Sequence, residues 1–173
     1  MGRGLMVYTN IQEFINDYER ESQSTLKLLQ VLTDESLKQE IAPGGGYRNL
    51  GDLAWHLVPH GGILDPTGLK VEFPEAAAAP ASAGEIAQAY RKTAQSMIDA
   101  VRSQWTDADL QRELNMFGQV WKIGLTLDMF IKHEIHHRGQ LTVLMRQAGL
   151  PVSGVYGPSK EEWAQFNMES PTV

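Results

Sequence analysis

Apolar residues in the first long segment, Ile11, Phe14, Ile15, Tyr18, Leu29 and Leu32, fall on one face of a 3.6-residue period. Ser22 and Thr25 fill the gap on that face, so the pattern predicts one amphipathic helix with a small polar interruption. Thr9 followed by Gln12 suits a capping box at its start. "TDESL" then predicts a short turn, and the consecutive glycines of "APGGGYRN" predict a loop. Asn49 is a natural N-cap for a second helix with the stripe Leu50, Leu53, Ala54 and Leu57, whose end Pro59 weakens by removing a donor.

"LDPTGLKVEFPEAAAAPASAG" reads as a long connection, because prolines punctuate it and its alanine run is too short to hold a helix. Ser82 and Glu85 suit a second capping box, and Ile86, Tyr90, Met97, Val101 and Trp105 keep helical spacing for about six turns. "TDADLQRELNMFGQVWKIG" predicts an irregular turn. Helical periodicity resumes near Thr126 and stops at Gly149 and Pro151. The tail "VYGPSKEEWAQF" predicts a short helix from Ser159, with Trp163 and Phe166 packing back. No segment shows the period-two alternation of a solvent-facing sheet. Four principal helices and one long crossover point to an all-α fold, a four-helix bundle, with residues 1–173 forming one domain. Such bundles build their sites from side chains of facing helices.

Composition narrows the chemistry. The chain has no cysteine, which excludes disulfide frameworks and zinc fingers and leaves any metal to histidine, carboxylate or water. Fifteen Lys and Arg against 21 Asp and Glu give a formal net charge of -6, without a basic cluster interleaved with aromatics. The electrostatic attraction that dominates binding to phosphate backbones has no source here, so no nucleic-acid partner is expected. No window approaches the roughly 20 apolar residues of a membrane span, and no signal-type segment is evident, so a cytoplasmic protein without membrane attachment is expected.

The stretch "FIKHEIHHRGQL", Phe130 to Leu141, holds three of the five histidines. It parses either as the HExxH string of zinc peptidases or as an HxxxH pair. On a helix His133 and His137 lie about 40° and one turn apart, a spacing that suits two ligands of one ion. With Leu127 and Met145 as the centre of the apolar stripe and Phe130, Ile131, Ile135 and Leu141 around it, the pair sits roughly 80–120° to one side, at a helix seam. His56 lies about 120° from the centre of its own stripe, so the two sets can meet across a seam. Three histidines on one face of an ion leave positions open for water or substrate. His136 points to the opposite side, and His60 follows Pro59, which leaves its direction undetermined; both read first as satisfied or solvated side chains. Glu134 and Arg138 fall within about 20° of the apolar centre, where they are expected to pair with each other and support groups around the ligands. A peptidase mechanism needs Glu134 to face water and needs a sheet, so the HxxxH reading is preferred.

"LGDLAWHL", "HEIHHRGQL" and "GLPVSGVYGPSKEE" together resemble the DinB family, also called YfiT-like metal-dependent hydrolases, over nearly the whole chain. The resemblance implies an up-down bundle with a long crossover and metal ligands at His56, His133 and His137. It further implies one divalent ion, zinc or nickel foremost with iron or manganese as alternatives, and a homodimer. The activity it implies is that of a hydrolase or a low-molecular-weight-thiol S-transferase on a small-molecule substrate. The competing reading is a non-catalytic metal-binding or interaction bundle. The connection between Leu64 and Ser82 is expected to border the pocket.

Overall fold

The computed structural model describes residues 7–58, 63–75 and 78–172. Helix α1, Ile11–Leu29, is capped by Asn10, whose side chain accepts from Glu13 N at 3.1 Å. The cap falls one residue beyond the Thr9–Gln12 box because Asp107 holds this end: it accepts from Asn10 Nδ2 and from the otherwise orphaned Ile11 N. Ser36–Lys38 forms a 3-10 turn where "TDESL" predicts one. Helix α2, Leu50–His56, starts with a reciprocal capping box between Asn49 and Asp52. The chain beyond α2 carries the predicted connection, and Pro59 and His60 lie outside the described residues. Helix α3, Ala83–Gln104, is capped by Ser82 accepting from Glu85 N, while Asp34 accepts from Ala83 N.

The segment expected to be irregular contains order. A 3-10 turn, Asp107–Gln111, leads into strand β1, Glu113–Met116, which pairs antiparallel with β2, Gln119–Lys122, with Met116 opposite Gln119. The two-residue turn is Phe117-Gly118, with φ of 53° and 80°, the positive pair that a type I′ hairpin requires. Asn or Asp normally announces such a turn, and Phe stands in that place, so the hairpin signal is hidden.

Helix α4, Ile123–Gln147, begins as β2 ends, three residues before the periodicity resumes. Gly124 lies under the N-terminal segment: a Cβ there would stand 2.0 Å from Tyr8 O, so no larger residue fits. The helix closes in a Schellman motif, with Leu150 N donating to Met145 O at 2.9 Å, Gly149 N donating to Arg146 O at 3.1 Å, and Gly149 at φ 74°.

Helix α1 packs against α3 and α4, and α2 packs against α3 and α4, so the four helices enclose one apolar cluster. Leu28, Leu50, Ile86, Met97, Leu127 and Met145 are among its fully enclosed members, each contributing about 1.5–3 kcal/mol by leaving water. The expected four-helix bundle is what forms. No helix of the described residues is long and apolar enough to cross a membrane.

The C-terminal tail departs from expectation. Only a 3-10 turn forms, Trp163–Phe166, and Phe166 is 57% exposed rather than packed back. Polar anchors hold the tail instead. Arg146 pairs with Glu161, and Glu162 Oε2 accepts from Gly154 N at 3.0 Å and Ser159 N at 2.8 Å.

Candidate metal centre

His56 is the last residue of α2, and His133 and His137 stand one turn apart on α4, the helix against which α2 packs. Nε2 of His56 lies 3.1 Å from Nε2 of His133 and 3.1 Å from Nε2 of His137. The rings meet edge to face, with centroids 4.4–5.2 Å apart. One potential ligand atom from each residue lies within 4.8 Å of the others. Two nitrogens bound 2.0–2.1 Å from one ion stand about 3.0 Å apart at a right angle and about 3.4 Å apart at a tetrahedral angle. The observed separations fall in that range, and three nitrogen lone pairs converging this way suit a cation better than one another.

Electrostatics favour the same use. Burial, above all, holds the His133 and His137 imidazoles below their usual pKa, with neighbouring His136 and Arg48 pushing the same way. Neutral imidazole is the form that ligates metal. Gln140 opposes the shift at His137 by a hydrogen bond. Its Oε1 lies 2.7 Å from His137 Nδ1; with that oxygen as acceptor, Nδ1 carries the proton and Nε2 keeps its lone pair toward the cluster. The Gln140 amide nitrogen lies 3.2 Å from Nε2 of His136, which is exposed and is not one of the converging three. His136 does not point to the opposite side as expected: its ring meets that of His137 edge to face, 5.0 Å between centroids, and it lines the cleft beside His133.

A cleft of about 640 Å³ opens beside the histidines, lined by His56, His133 and His136 and by Leu57, Ile63, Met129, Phe130, Phe117 and Trp121. Its outer wall is the hairpin. The connection from Leu64 to Ser82, expected to border it, contributes none of its described residues. That segment lies along α3, where Lys70 N donates to Gln104 and Glu72 N to Ser96.

A model of the DinB family matches residues 6–171. The chain belongs to the DinB family. It is 46% identical to YrdA of Bacillus subtilis strain 168, an uncharacterized protein, over 96% of this chain and the whole of that one. The crystal structure of a DinB-like protein from Bacillus cereus ATCC 10987 superposes with a TM-score of 0.81 at 48% identity, over 86% of this chain and 99% of that one. A second DinB-like structure, YjoA of B. subtilis, matches at 18% identity and a TM-score of 0.61, covering 85% of this chain and 99% of that one. The YjoA likeness bears on the fold alone.

Behind the histidines this DinB chain carries a buried polar layer that the sequence only half discloses. Glu134 and Arg138 are buried, as the helical arithmetic requires, but the expected pair between them is replaced by partners from other helices. Arg138 pairs with Glu21 of α1 at 2.6 Å, with side chains 3% and 5% exposed, and also donates to the Glu21 carbonyl at 3.0 Å. Tyr156 donates to Glu21 Oε2 at 2.7 Å and covers the pair from the tail. Glu134 Oε1 accepts from Thr25 at 2.6 Å and from Tyr90 at 2.5 Å. Burial pushes the Glu134 carboxyl up, and those two donors work against the shift. A side chain one turn away on the same helix cannot compete with partners that packing delivers from α1 and α3.

Two features of the site escaped the sequence reading. Gln140 follows His137 by three residues, so the same-face spacing that pairs the histidines also reaches it. Phe117 and Trp121 carry no local signal for the cleft, because only the hairpin brings them there.

Proposed function

We propose that this DinB-family protein is a metal-dependent enzyme in which His56, His133 and His137 hold one divalent ion at the edge of the cleft. Its substrate is a small molecule, converted by hydrolysis or by transfer of a low-molecular-weight thiol. The observation that carries the proposal is the meeting of three Nε2 atoms from two helices beside an apolar cleft. An imidazole donor set suits zinc or nickel first and also admits iron(II) or manganese. A divalent ion supplies a lowered pKa for a coordinated water or thiol and polarisation of a substrate oxygen.

The chain's own residues do the rest. The imidazoles approach from α2 and α4, and His56 and His133 face the cleft, so ligand donors crowd one side and leave the cleft side for substrate. Gln140 fixes the ring of His137. Leu57, Met129 and Phe130 exclude water from one wall and thereby strengthen charge interactions within the cleft.

Metal content tests the reading directly, in untagged protein beside His56→Ala and His137→Ala. About one equivalent in the wild type, lost in both variants while helical circular dichroism persists, supports it. Protein that takes up no zinc, nickel, manganese or iron(II) overturns it. Thiol-dependent turnover then separates transfer from hydrolysis. Bound metal without turnover of ester, amide or thiol-acceptor substrates leaves a non-catalytic metal-binding bundle.

A further inference from the structure

Phe117 occupies the first central position of a type I′ turn at φ 53° and is 81% exposed. Both properties disfavour phenylalanine: the turn prefers Asn, Asp or Gly, and a large apolar ring in water is unfavourable. Backbone strain of this kind persists where it serves a site. The ring stands edge to face with Trp121, 6.1 Å between centroids, and both line the cleft beside His56 and His133. The facing wall is Leu57, Ile63, Met129 and Phe130. Lys132 and Glu134 also line the cleft, and both are already engaged: the Lys132 ammonium by Asp128 at 2.5 Å, and the buried Glu134 carboxyl by Thr25 and Tyr90. A cleft of about 640 Å³ is sized for a small molecule.

We infer that Phe117 and Trp121 form an aromatic arm that grips an uncharged aromatic or branched apolar body of the substrate, while the substrate's polar head reaches the three histidines. The assignment rests on the reading of the site as a metal centre, but the arm and the histidines contribute separable parts. The histidines recognise the head, and the hairpin selects the body. Phe117 and Trp121 are therefore specificity-determining residues, and polar thiols or esters of similar reactivity are poor ligands.

The test compares two thiols that share a head and differ in body. Zinc-loaded protein is titrated calorimetrically with benzyl mercaptan and with 2-mercaptoethanol, and metal-free protein is titrated by NMR with benzyl alcohol. Benzyl mercaptan is expected to bind at least about tenfold tighter than 2-mercaptoethanol, from the apolar area its ring buries. Phe117→Asn and Trp121→Ala should each remove most of that preference and leave zinc content and 2-mercaptoethanol affinity in place. Phe117→Asn carries a second readout, because Asn suits the turn: its melting temperature should equal or exceed that of the wild type. Equal affinities for the two thiols in the wild type overturn the inference. So does a hairpin that proves to be covered by a second copy, seen as a dimer that Phe117→Asn dissociates while the thiol preference is absent. If zinc fails to bind, benzyl alcohol still shifting the Trp121 indole resonance in wild type and not in Phe117→Asn keeps the arm while the metal reading falls. No shift in that case overturns both.

Discussion

Gln140 Oε1 and His137 Nδ1 stand 2.7 Å apart on adjacent turns of α4. The contact orients the ring whose other nitrogen joins the cluster, so under the proposed metal-centre reading the amide should act on metal affinity through the histidine. Gln140→Ala should weaken zinc binding about 10–100-fold, measured by competition with a chromophoric chelator. Gln140→Glu keeps an acceptor toward Nδ1 and should retain most of the affinity. Wild-type affinity in Gln140→Ala would show that the contact is incidental.

Removing one partner of the Glu21–Arg138 pair leaves the other charge buried. Arg138→Met should cost about 3–5 kcal/mol in denaturant unfolding. Replacing both partners, Glu21→Gln with Arg138→Met, should cost clearly less than the sum of the two single changes. Additive losses would mean that the two groups do not sense each other.

Two buried tyrosines should respond in opposite ways. Tyr90 donates to Glu134 at 2.5 Å, whereas the Tyr18 hydroxyl is buried with no hydrogen-bond partner among the described residues. Tyr90→Phe should therefore destabilise by about 1–3 kcal/mol, and Tyr18→Phe should be neutral or stabilising. Thermal melts of the two variants side by side decide the matter, and a Tyr18→Phe loss as large as that of Tyr90→Phe contradicts the assignment.

The tail should release in acid. The Arg146 guanidinium beside Glu161 is the main cause that lowers its carboxyl from 4.5 to about 2, and amide donors from Ser159 and Gly154 lower Glu162. Both groups bind fewer protons folded than unfolded below the ordinary glutamate range, Glu161 down to about 2. The Glu161 contribution is thus present above about pH 4.5 and is lost as pH falls toward about 2, and that of Glu162 is likewise lost as pH falls below the ordinary glutamate range. Protection of the Gly154 and Ser159 amides from hydrogen exchange should fall as pH drops below the ordinary glutamate range, and should fall at neutral pH in a Glu161→Gln, Glu162→Gln double variant. Protection in the double variant equal to that of the wild type would remove the carboxylates from the account.

Much of this was legible along the chain. Helical periodicity located α1, α3 and α4 to within a few residues, and Asn49 and Ser82 marked the caps of α2 and α3 because capping is settled by near neighbours. The i, i+4 spacing of His133 and His137 and the flank position of His56 named the converging set, since helical angles follow from residue count alone. The same angles put Glu134 and Arg138 inside.

Which groups they met inside was another matter. Glu21, Thr25 and Tyr90 are distant in sequence, and their approach depends on how α1 and α3 pack over α4. The hairpin was hidden because its strands are four residues long and its turn uses Phe117 in place of a turn former. Local spacing determined the elements and the candidate ligands; packing between elements far apart in the chain decided the buried partners, the tail's polar anchorage and the wall that closes the cleft.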